Sequence, residues 1–381
     1  MKKIIRITTV PSSLRTLLKG QLKFMSQHYK VIGVSGDGSA LEEVRTNEGI
    51  ETYVVEMTRS ITPLKDFKAT IKLYRFLKKE KPFIVHTHTP KAGTLGMLAA
   101  KLAGVPHRLH TIAGLPLLET KGAKRLLLDV IETFTYACAT MVLPNSFGLQ
   151  SIILKNKYTK PSKLTVIGKG SSNGIDTSHY DATLVSKKAR EALKDELNIT
   201  AKDVVFIFIG RIVRDKGINE LVSAFNNLSK TNSKAKLLLV GPRENHLDPL
   251  LEETEDLIIK NKQIIAVGVQ KDIRPYVAIA DVLTFPSYRE GFPNVVLQAS
   301  CMDLPCIVSN INGCNEIIEH NVNGMIIPVK DEKSLQSAMQ FMIDNPTKRK
   351  EMSKSARSRI IERYQQDYVW NELLKLYKSL Q

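Results

Sequence analysis

The sequence predicts an α/β protein made of two domains, each a doubly wound parallel sheet. Three observations predict it. Short apolar runs of strand length, such as residues 3–10 (KIIRITTV) and 204–210 (VVFIFIG), alternate with longer amphipathic stretches. The runs end in Gly, Pro, Ser and Asn, as strands do where the chain turns into a helix. The alternation occurs twice, over residues 1–180 and 201–360, on either side of a polar, strandless segment at 181–200 that reads as a linker. Repeated strand–helix alternation implies parallel sheets, and 381 residues suffice for two cores.

Residues 3–10 form the first strand. Their apolar core is too short for a secretory signal and Arg6 interrupts it, so a cytoplasmic protein is expected. No run reaches the length of a membrane span. The loop after this strand, with Arg15 as a candidate anion contact, belongs at the carboxyl edge of the sheet, where open α/β sheets bind ligands. A helix is expected over 14–28, a strand over 29–35, a helix over 40–48 and a strand over 52–56. Residues 64–81 read as an amphipathic helix with Leu64, Phe67, Ile71, Tyr74 and Leu77 inward. Its basic face is either simply solvated or a membrane-surface contact. A strand at 83–85 leads into His86 and His88, which share one face. They are satisfied core histidines or cleft-lining groups; no carboxylate or third His lies nearby to complete a metal site. Lys91 and a small-residue helix at 94–103 follow. Strands are expected at 107–110, 140–144 and 164–167, with a helix at 121–139. The loop 168–176, which carries Asn173, is dense in turn formers.

Charge divides unevenly. Residues 1–180 carry 27 Lys and Arg against 12 Asp and Glu, and the remainder 28 against 26. The basic half calls for an anionic partner: nucleic acid, an anionic lipid surface or a phosphorylated acceptor. A nucleic-acid surface interleaves aromatics with its cations, and aromatics are 6% of this chain. The four cysteines, at 138, 301, 306 and 314, have neither metal-ligand spacing nor disulfide-scaffold density and are expected as reduced thiols.

In the second half, the strand at 204–210 runs straight into Gly210, Arg211 and Lys216, with a helix at 218–228 beyond. Two cations five residues apart in such a loop suit a diphosphate, Arg211 as a planar fork and Lys216 as a point charge. Strands at 236–241 and 264–267 follow, the second leading to a loop with Val269. The strand ending at Phe285 feeds a turn, Glu290, Gly291, Phe292, Pro293 and Asn294, and then a helix from Val295. The first N–H groups of a helix lack internal partners and its dipole favours negative charge there, so this turn is a place to hold phosphate. Strands at 304–308 and 324–328 and a set of helices close the chain.

Residues 285–300, FPSYREGFPNVVLQAS, resemble the donor-binding signature of the family 4 retaining glycosyltransferases, Glu-Gly-Phe-Pro/Gly with a second Glu eight residues after the first. Glu290 is the first acid, and Gln298 stands at the second. Arg211 and Lys216 match the family's donor diphosphate pair. Residues 86–93 resemble the bacterial polysaccharide-type members, and 168–176 the family's Asn-Gly-Val-Asp loop. Besides Gln298, two departures stand out: Pro11-Ser12-Ser13 where related enzymes often have a glycine pair, and Ala113 where many have a His.

The resemblance implies a GT-B fold: two Rossmann-like domains with parallel sheets facing a central cleft. Residues 1–180 then bind the acceptor and 201–360 the nucleotide sugar, and a terminal helix at 361–381 crosses back through Trp370 and Leu373. It implies retaining transfer of a hexose or N-acetylhexosamine from a nucleotide diphosphate sugar, expected as a UDP-sugar. The acceptor is a polyprenyl-diphosphate-linked or other glycan in capsule or O-antigen assembly, at an anionic inner membrane face, with no nucleic acid involved. Arg211 and Lys216 take up the leaving-group charge, so neither metal nor cofactor is expected. Glu290 orients the sugar. Gly210, Val269, Gly291, Phe292, Pro293, Asn294, Val295 and Gln298 belong to the donor site, and Arg15, His88, Lys91, His110 and Asn173 to the acceptor side. The alternative of the same architecture is a nucleotide-sugar 2-epimerase.

Overall fold

The computed structural model describes all residues except 59, 116, 118–119 and 245–247. The chain forms two compact units, Met1–Gly174 with Gln366–Gln381, and Ile175–Gln365. Twelve strands fall six to each unit. The first unit holds β1 (Lys3–Ile7), β2 (Lys30–Ser35), β3 (Glu51–Val54), β4 (Ile84–Thr87), β5 (His107–Ile112) and β6 (Met141–Pro144), in the order β3-β2-β1-β4-β5-β6. The second holds β7 (Val204–Ile209), β8 (Ala235–Val240), β9 (Ile264–Gly268), β10 (Val282–Phe285), β11 (Cys306–Ser309) and β12 (Gly324–Ile327), in the order β12-β11-β10-β7-β8-β9. Every pairing is parallel. Central β7, VVFIFI, is buried from its second residue on, which is why it reads as an unbroken apolar run rather than an alternating one. In both sheets the order reverses between the first strand and the fourth, which makes a switch point at β1/β4 and another at β7/β10.

Several boundaries differ from expectation. Residues 181–200 are not a linker. They belong to the second unit, with the helix Lys187–Glu196 capped by the Ser186 hydroxyl. Arg357 ties the preceding segment down through the carbonyls of Thr177 and Tyr180 and the carboxylate of Asp181. Residues 164–167 make only an isolated bridge from Leu164 to Val142. The helix expected over 14–28 is two, Pro11–Leu17 and Gln21–Ser26, broken at Gly20. Gly20 has φ 77°, and a Cβ there would lie 2.6 Å from the Trp370 ring. That ring sits on the C-terminal helix Gln366–Ser379, part of the first unit, and its indole N–H donates to Asn173 Oδ1 at 2.7 Å.

The helix Pro63–Glu80 is rotated from the expected face. Its buried residues are Ala69, Leu73, Phe76 and Leu77, while Leu64 is 81% and Phe67 66% exposed. Phe76 stacks on Tyr53 at 3.9 Å, and this contact fixes which face turns in. Among the described residues no helix is long and apolar enough to cross a membrane.

Histidines fill the middle of the first unit. Arg6, fully buried on β1, donates from Nε to His88 Nε2 at 2.9 Å and from Nη2 to Gln21 Oε1 at 2.5 Å. His86 lies between the Tyr377 hydroxyl at 2.6 Å and Thr111 Oγ1 at 2.7 Å. His110, Nδ1 2.7 Å from Thr87 Oγ1, is a core residue rather than a cleft group. A Cβ on Gly93 would meet its ring at 2.3 Å, so the helix Pro90–Leu102 presses directly on it. Burial first, then neighbouring positive charge, holds His86 and His88 well below the ordinary histidine range. Burial pushes His110 down to about 4.

The sign of the pH effect follows. Below the ordinary histidine value of 6.5 the unfolded chain gains protons that the folded chain refuses, so stability is lost as pH falls from 6.5 toward 4. His110 alone accounts for roughly 3 kcal/mol across that window. Thermal melts should fall steeply over it, and His110→Asn should make the slope shallower; a level melting temperature would contradict the buried neutral cluster. Gly93→Ala should destabilise the fold by about 1–3 kcal/mol despite improving helix propensity, as read by denaturant titration.

Candidate active site

In the second unit the loops leaving β7 and β10, the two strands at the switch point, are packed against each other. Gly210 follows β7 with φ 152°. Gly241, after β8, approaches so closely that a Cβ there would lie 1.8 Å from the Gly210 carbonyl oxygen. The loop then makes a single 3-10 turn, Arg214–Lys216, and ends at Gly217 with φ 71°. A Cβ on Gly217 would sit 2.2 Å from the Pro286 carbonyl oxygen. Glycine is therefore required for two reasons, backbone conformation and contact with the β10 loop.

That contact sets the chemistry. Lys216 Nζ lies 2.5 Å from Glu290 Oε1, with side chains only 15% and 17% exposed. The Ser287 hydroxyl is 3.0 Å from the same carboxylate oxygen. Asp215 binds the two loops together: its carbonyl accepts from the Tyr288 N–H at 3.0 Å and its carboxylate from Arg289 at 3.0 Å. Arg211 reaches Asp215 at 3.6 Å and Glu244 at 2.9 Å and is 40% exposed. Burial opposes the Arg211 charge, but Glu244, Asp215 and Glu290 outweigh it and hold the guanidinium above its ordinary range.

The turn at 290–293 is braced from below. The Asn312 side-chain amide donates to the carbonyls of Glu290 and Gly291. Gly313, with φ 77°, comes so near that a Cβ would lie 2.5 Å from the Gly291 carbonyl oxygen. Pro293 caps the helix Asn294–Cys301. The N–H groups of Asn294 and Val295 find no backbone acceptor among the described residues, as the first turn of a helix dictates. Gln298, one turn on, donates its amide N–H to the Tyr180 hydroxyl at 2.7 Å, which leaves the amide oxygen to accept. Together these groups offer two cations, free N–H donors and one carboxylate, the set that holds a diphosphate beside a polyhydroxylated group.

The expected donor residues thus gather, with two exceptions. Phe292 is buried, edge-on to Tyr364 at 5.2 Å, so it anchors the turn rather than lining a ligand. Val269 is 69% exposed beside Gly268. The expected acceptor residues do not gather. Arg15 pairs with Glu43 on the surface at 2.8 Å, and Asn173 is engaged by Trp370, Gln21 and the Lys19 carbonyl. His110 is internal. His88 lines a cavity of about 10 Å³ with Gln21, Thr111, Asn145 and Ser172, room for about one water. Lys91 pairs with Asp66 at 2.5 Å on the wall of a different cavity. Sequence reasoning missed Asp215, Ser287, Arg289 and Asn312. Asn312-Gly313 is a turn dipeptide that carried a usable signal. Asp215 lay unremarked between the two cations. The four cysteines are buried and unpaired, and among the described residues no three His, Cys, Asp or Glu gather as metal ligands.

Comparison with known proteins fits this geometry. Residues 189–359 match the family model described as glycosyl transferases group 1, and residues 10–146 the one described as glycosyl transferase 4-like. The chain is 30% identical to the capsular polysaccharide biosynthesis glycosyltransferase CapM of Staphylococcus aureus, over 99% of this chain and 97% of that one. It is 32% identical to the UDP-Gal:alpha-D-GlcNAc-diphosphoundecaprenol alpha-1,3-galactosyltransferase of Escherichia coli, over 81% and 78%. It is 26% identical to the N,N'-diacetylbacillosaminyl-diphospho-undecaprenol alpha-1,3-N-acetylgalactosaminyltransferase of Campylobacter jejuni, over 86% of each. Among solved structures, HepE of Anabaena in complex with UDP superposes with a TM-score of 0.82 at 17% identity over the whole of both chains. A glycosyltransferase from Rickettsia africae gives 0.80 at 19%, over 100% and 98%. At those identities the structures speak to the fold, which is GT-B. The full-length relative and the two matched domains carry the rest: this chain belongs to the group 1, family 4 glycosyltransferases and is a transferase enzyme.

Proposed function

We propose that the enzyme moves a sugar, with retention of configuration, from a uridine diphosphate donor to a saccharide carried on polyprenyl diphosphate, in assembly of a cell-surface polysaccharide. The observation that carries this reading is the Lys216–Glu290 pair at the β7/β10 switch point. An ammonium held against a carboxylate fits the junction between a diphosphate and its sugar. As the sugar–phosphate bond lengthens, negative charge grows on the departing diphosphate. Lys216, Arg211 and the N–H groups of Asn294 and Val295 stabilise it, and the low exposure of Lys216 strengthens its share. Glu290 accepts hydrogen bonds from sugar hydroxyls and sets the orientation of the donor. Gln298 offers an uncharged acceptor to the nucleoside, weaker than a carboxylate would be.

The acceptor assignment draws on the relatives whose names specify diphosphoundecaprenol-linked sugars, and the uridine nucleotide on a named UDP-Gal donor and a UDP complex. The basic excess of residues 1–180, together with exposed Leu64 and Phe67 beside Lys65 and Lys68, supports attachment to an anionic inner membrane face. We propose that no metal is needed, because two cations already face the leaving group. No observation favours the 2-epimerase reading, and product analysis with donor alone separates the two.

The direct test is a panel of UDP- and GDP-sugars with N-acetylglucosaminyl-diphosphoundecaprenol. One added sugar should appear with a UDP-sugar only; no product from any pair would overturn the reading. Lys216→Ala and Arg211→Ala should each lower kcat by about 10²–10³ in folded protein, and excess EDTA should leave the rate unchanged. Gln298→Glu should lower the donor KM, measured at saturating acceptor; an unchanged KM would exclude a nucleoside contact.

A further inference from the structure

The first unit holds a second cavity, of about 180 Å³, that the donor chemistry does not use. Its walls are largely apolar: Ile61, Leu95, Leu117, Leu128 and Ile131. Its polar fringe lies at one end. Pro90, Lys91 and Thr94 belong to the first turns of the helix Pro90–Leu102, which begins shortly after the carboxyl end of β4. Lys91 there pairs with Asp66 at 2.5 Å, and the two side chains are 11% and 17% exposed.

The far wall comes from the helix Gly122–Cys138, which is poorly covered. Its buried residues are Thr135, Tyr136 and Cys138 only. Leu128 and Ile131 line the cavity half-buried, while Leu126, Leu127, Val130 and Phe134 are exposed at 68%, 48%, 66% and 43%. Isolated exposed apolar residues need no explanation, but a contiguous helical stripe does. Ile61, exposed at 59%, both lines the cavity and lies near exposed Leu64 and Phe67 in sequence. Exposed Lys65, Lys68, Lys121 and Lys124 accompany these residues.

We infer that this cavity holds the start of the acceptor's isoprenoid chain, with the chain continuing along the exposed stripe of the Gly122–Cys138 helix. The inference rests on the proposed polyprenyl diphosphate acceptor. Size fits: a cavity of about 150 Å³ accommodates benzene, so this one takes roughly one five-carbon isoprene unit. Polarity fits as well. A chain with an anionic head needs hydrocarbon on one side and positive charge on the other; exposed Lys65 and Lys68 on the neighbouring helix, and Lys91 once a diphosphate competes with its partner Asp66, supply the latter. Burial holds the Glu132 carboxyl, which also lines the cavity, above its ordinary range, and this lowers the cost of laying hydrocarbon beside it. Position decides between two sources of hydrocarbon. A bilayer acyl chain has no reason to enter beside the carboxyl edge of the sheet, whereas the acceptor must reach that edge.

The test uses full-length enzyme in detergent without bilayer, with one acceptor sugar on farnesyl diphosphate and the same sugar on ethyl diphosphate. The native enzyme should show a KM lower by about tenfold or more for the farnesyl acceptor. Leu128→Trp and Ile131→Trp, both at half-buried positions, should abolish that difference while leaving kcat on the ethyl acceptor and the donor KM unchanged. Variants that keep the farnesyl preference overturn the inference. So do variants that keep it while losing recovery with anionic liposomes, which assigns the cavity to bilayer lipid. Transfer to neither acceptor by the native enzyme overturns the acceptor reading itself, and circular dichroism excludes misfolded variants.

Discussion

An ammonium and a carboxylate 2.5 Å apart and largely out of water persist only where the backbone holds them together, because each loses much of its hydration. In this protein the backbone constraint is Gly217. The absence of a Cβ there lets the β7 loop touch the Pro286 carbonyl, and from that contact Lys216 can reach Glu290. The rest of the site reinforces the same junction. Asp215 bonds to Tyr288 and Arg289 across it, Asn312 holds the far side of the turn, and Gly313 makes room for it. The pair is thus a product of doubly wound topology, which places the ends of β7 and β10 side by side.

The first unit has the same strand order but fills its switch point differently. Arg6 on β1 and His88 after β4 meet there as a buried guanidinium and a neutral imidazole. A guanidinium stays charged under all ordinary conditions. Burial first, and this charge in addition, keep the neighbouring histidines unprotonated, with Nε2 of His88 accepting and its other nitrogen carrying the proton. One topology yields an open, charge-paired junction in one unit and a sealed, histidine-filled one in the other. Side-chain size and the covering helix Gln366–Ser379, whose Tyr377 bonds His86, account for the difference.

Much of this was legible in the sequence. All twelve strands stand out because buried parallel strands are short, largely apolar runs ended by turn formers, and one further run, 164–167, was read as a strand but makes only an isolated bridge. Arg211, Lys216 and Glu290 were legible because they lie in loops that leave a strand and because they match the family's donor-site pattern. What was not legible depends on contacts between distant residues. The inward face of Pro63–Glu80 is set by Phe76 on Tyr53, and helical period alone allows neighbouring faces. His110 looked polar and available, but Gly93 clears space to bury it. Asn173 looked like a free loop residue until Trp370, almost two hundred positions later in the chain, bonded it. Residues 181–200 looked like a linker since polar helices lack an apolar run, yet Val185 and Ile199 are buried in the second core, with Leu193 and Leu197 packed against it.

Charge distribution adds a last step. In the second unit the arginines are answered locally: Arg211 by Glu244, Arg214 by Asp248, Arg274 by Asp272 and Arg357 by Asp181. Residues 1–180 carry 27 cations against 12 acids, and Lys65, Lys68, Lys121 and Lys124 among them are exposed. Such a field extends about a Debye length, roughly 8–10 Å. Lysines near an anionic bilayer contribute about 1 kcal/mol each, and apolar side chains add burial that salt does not screen. Lys65 and Lys68 beside Leu64 and Phe67 combine the two on one helix. The proposed division of labour follows: long-range charge brings the first unit to the lipid that carries the acceptor, and the short-range pair in the second unit handles a soluble donor.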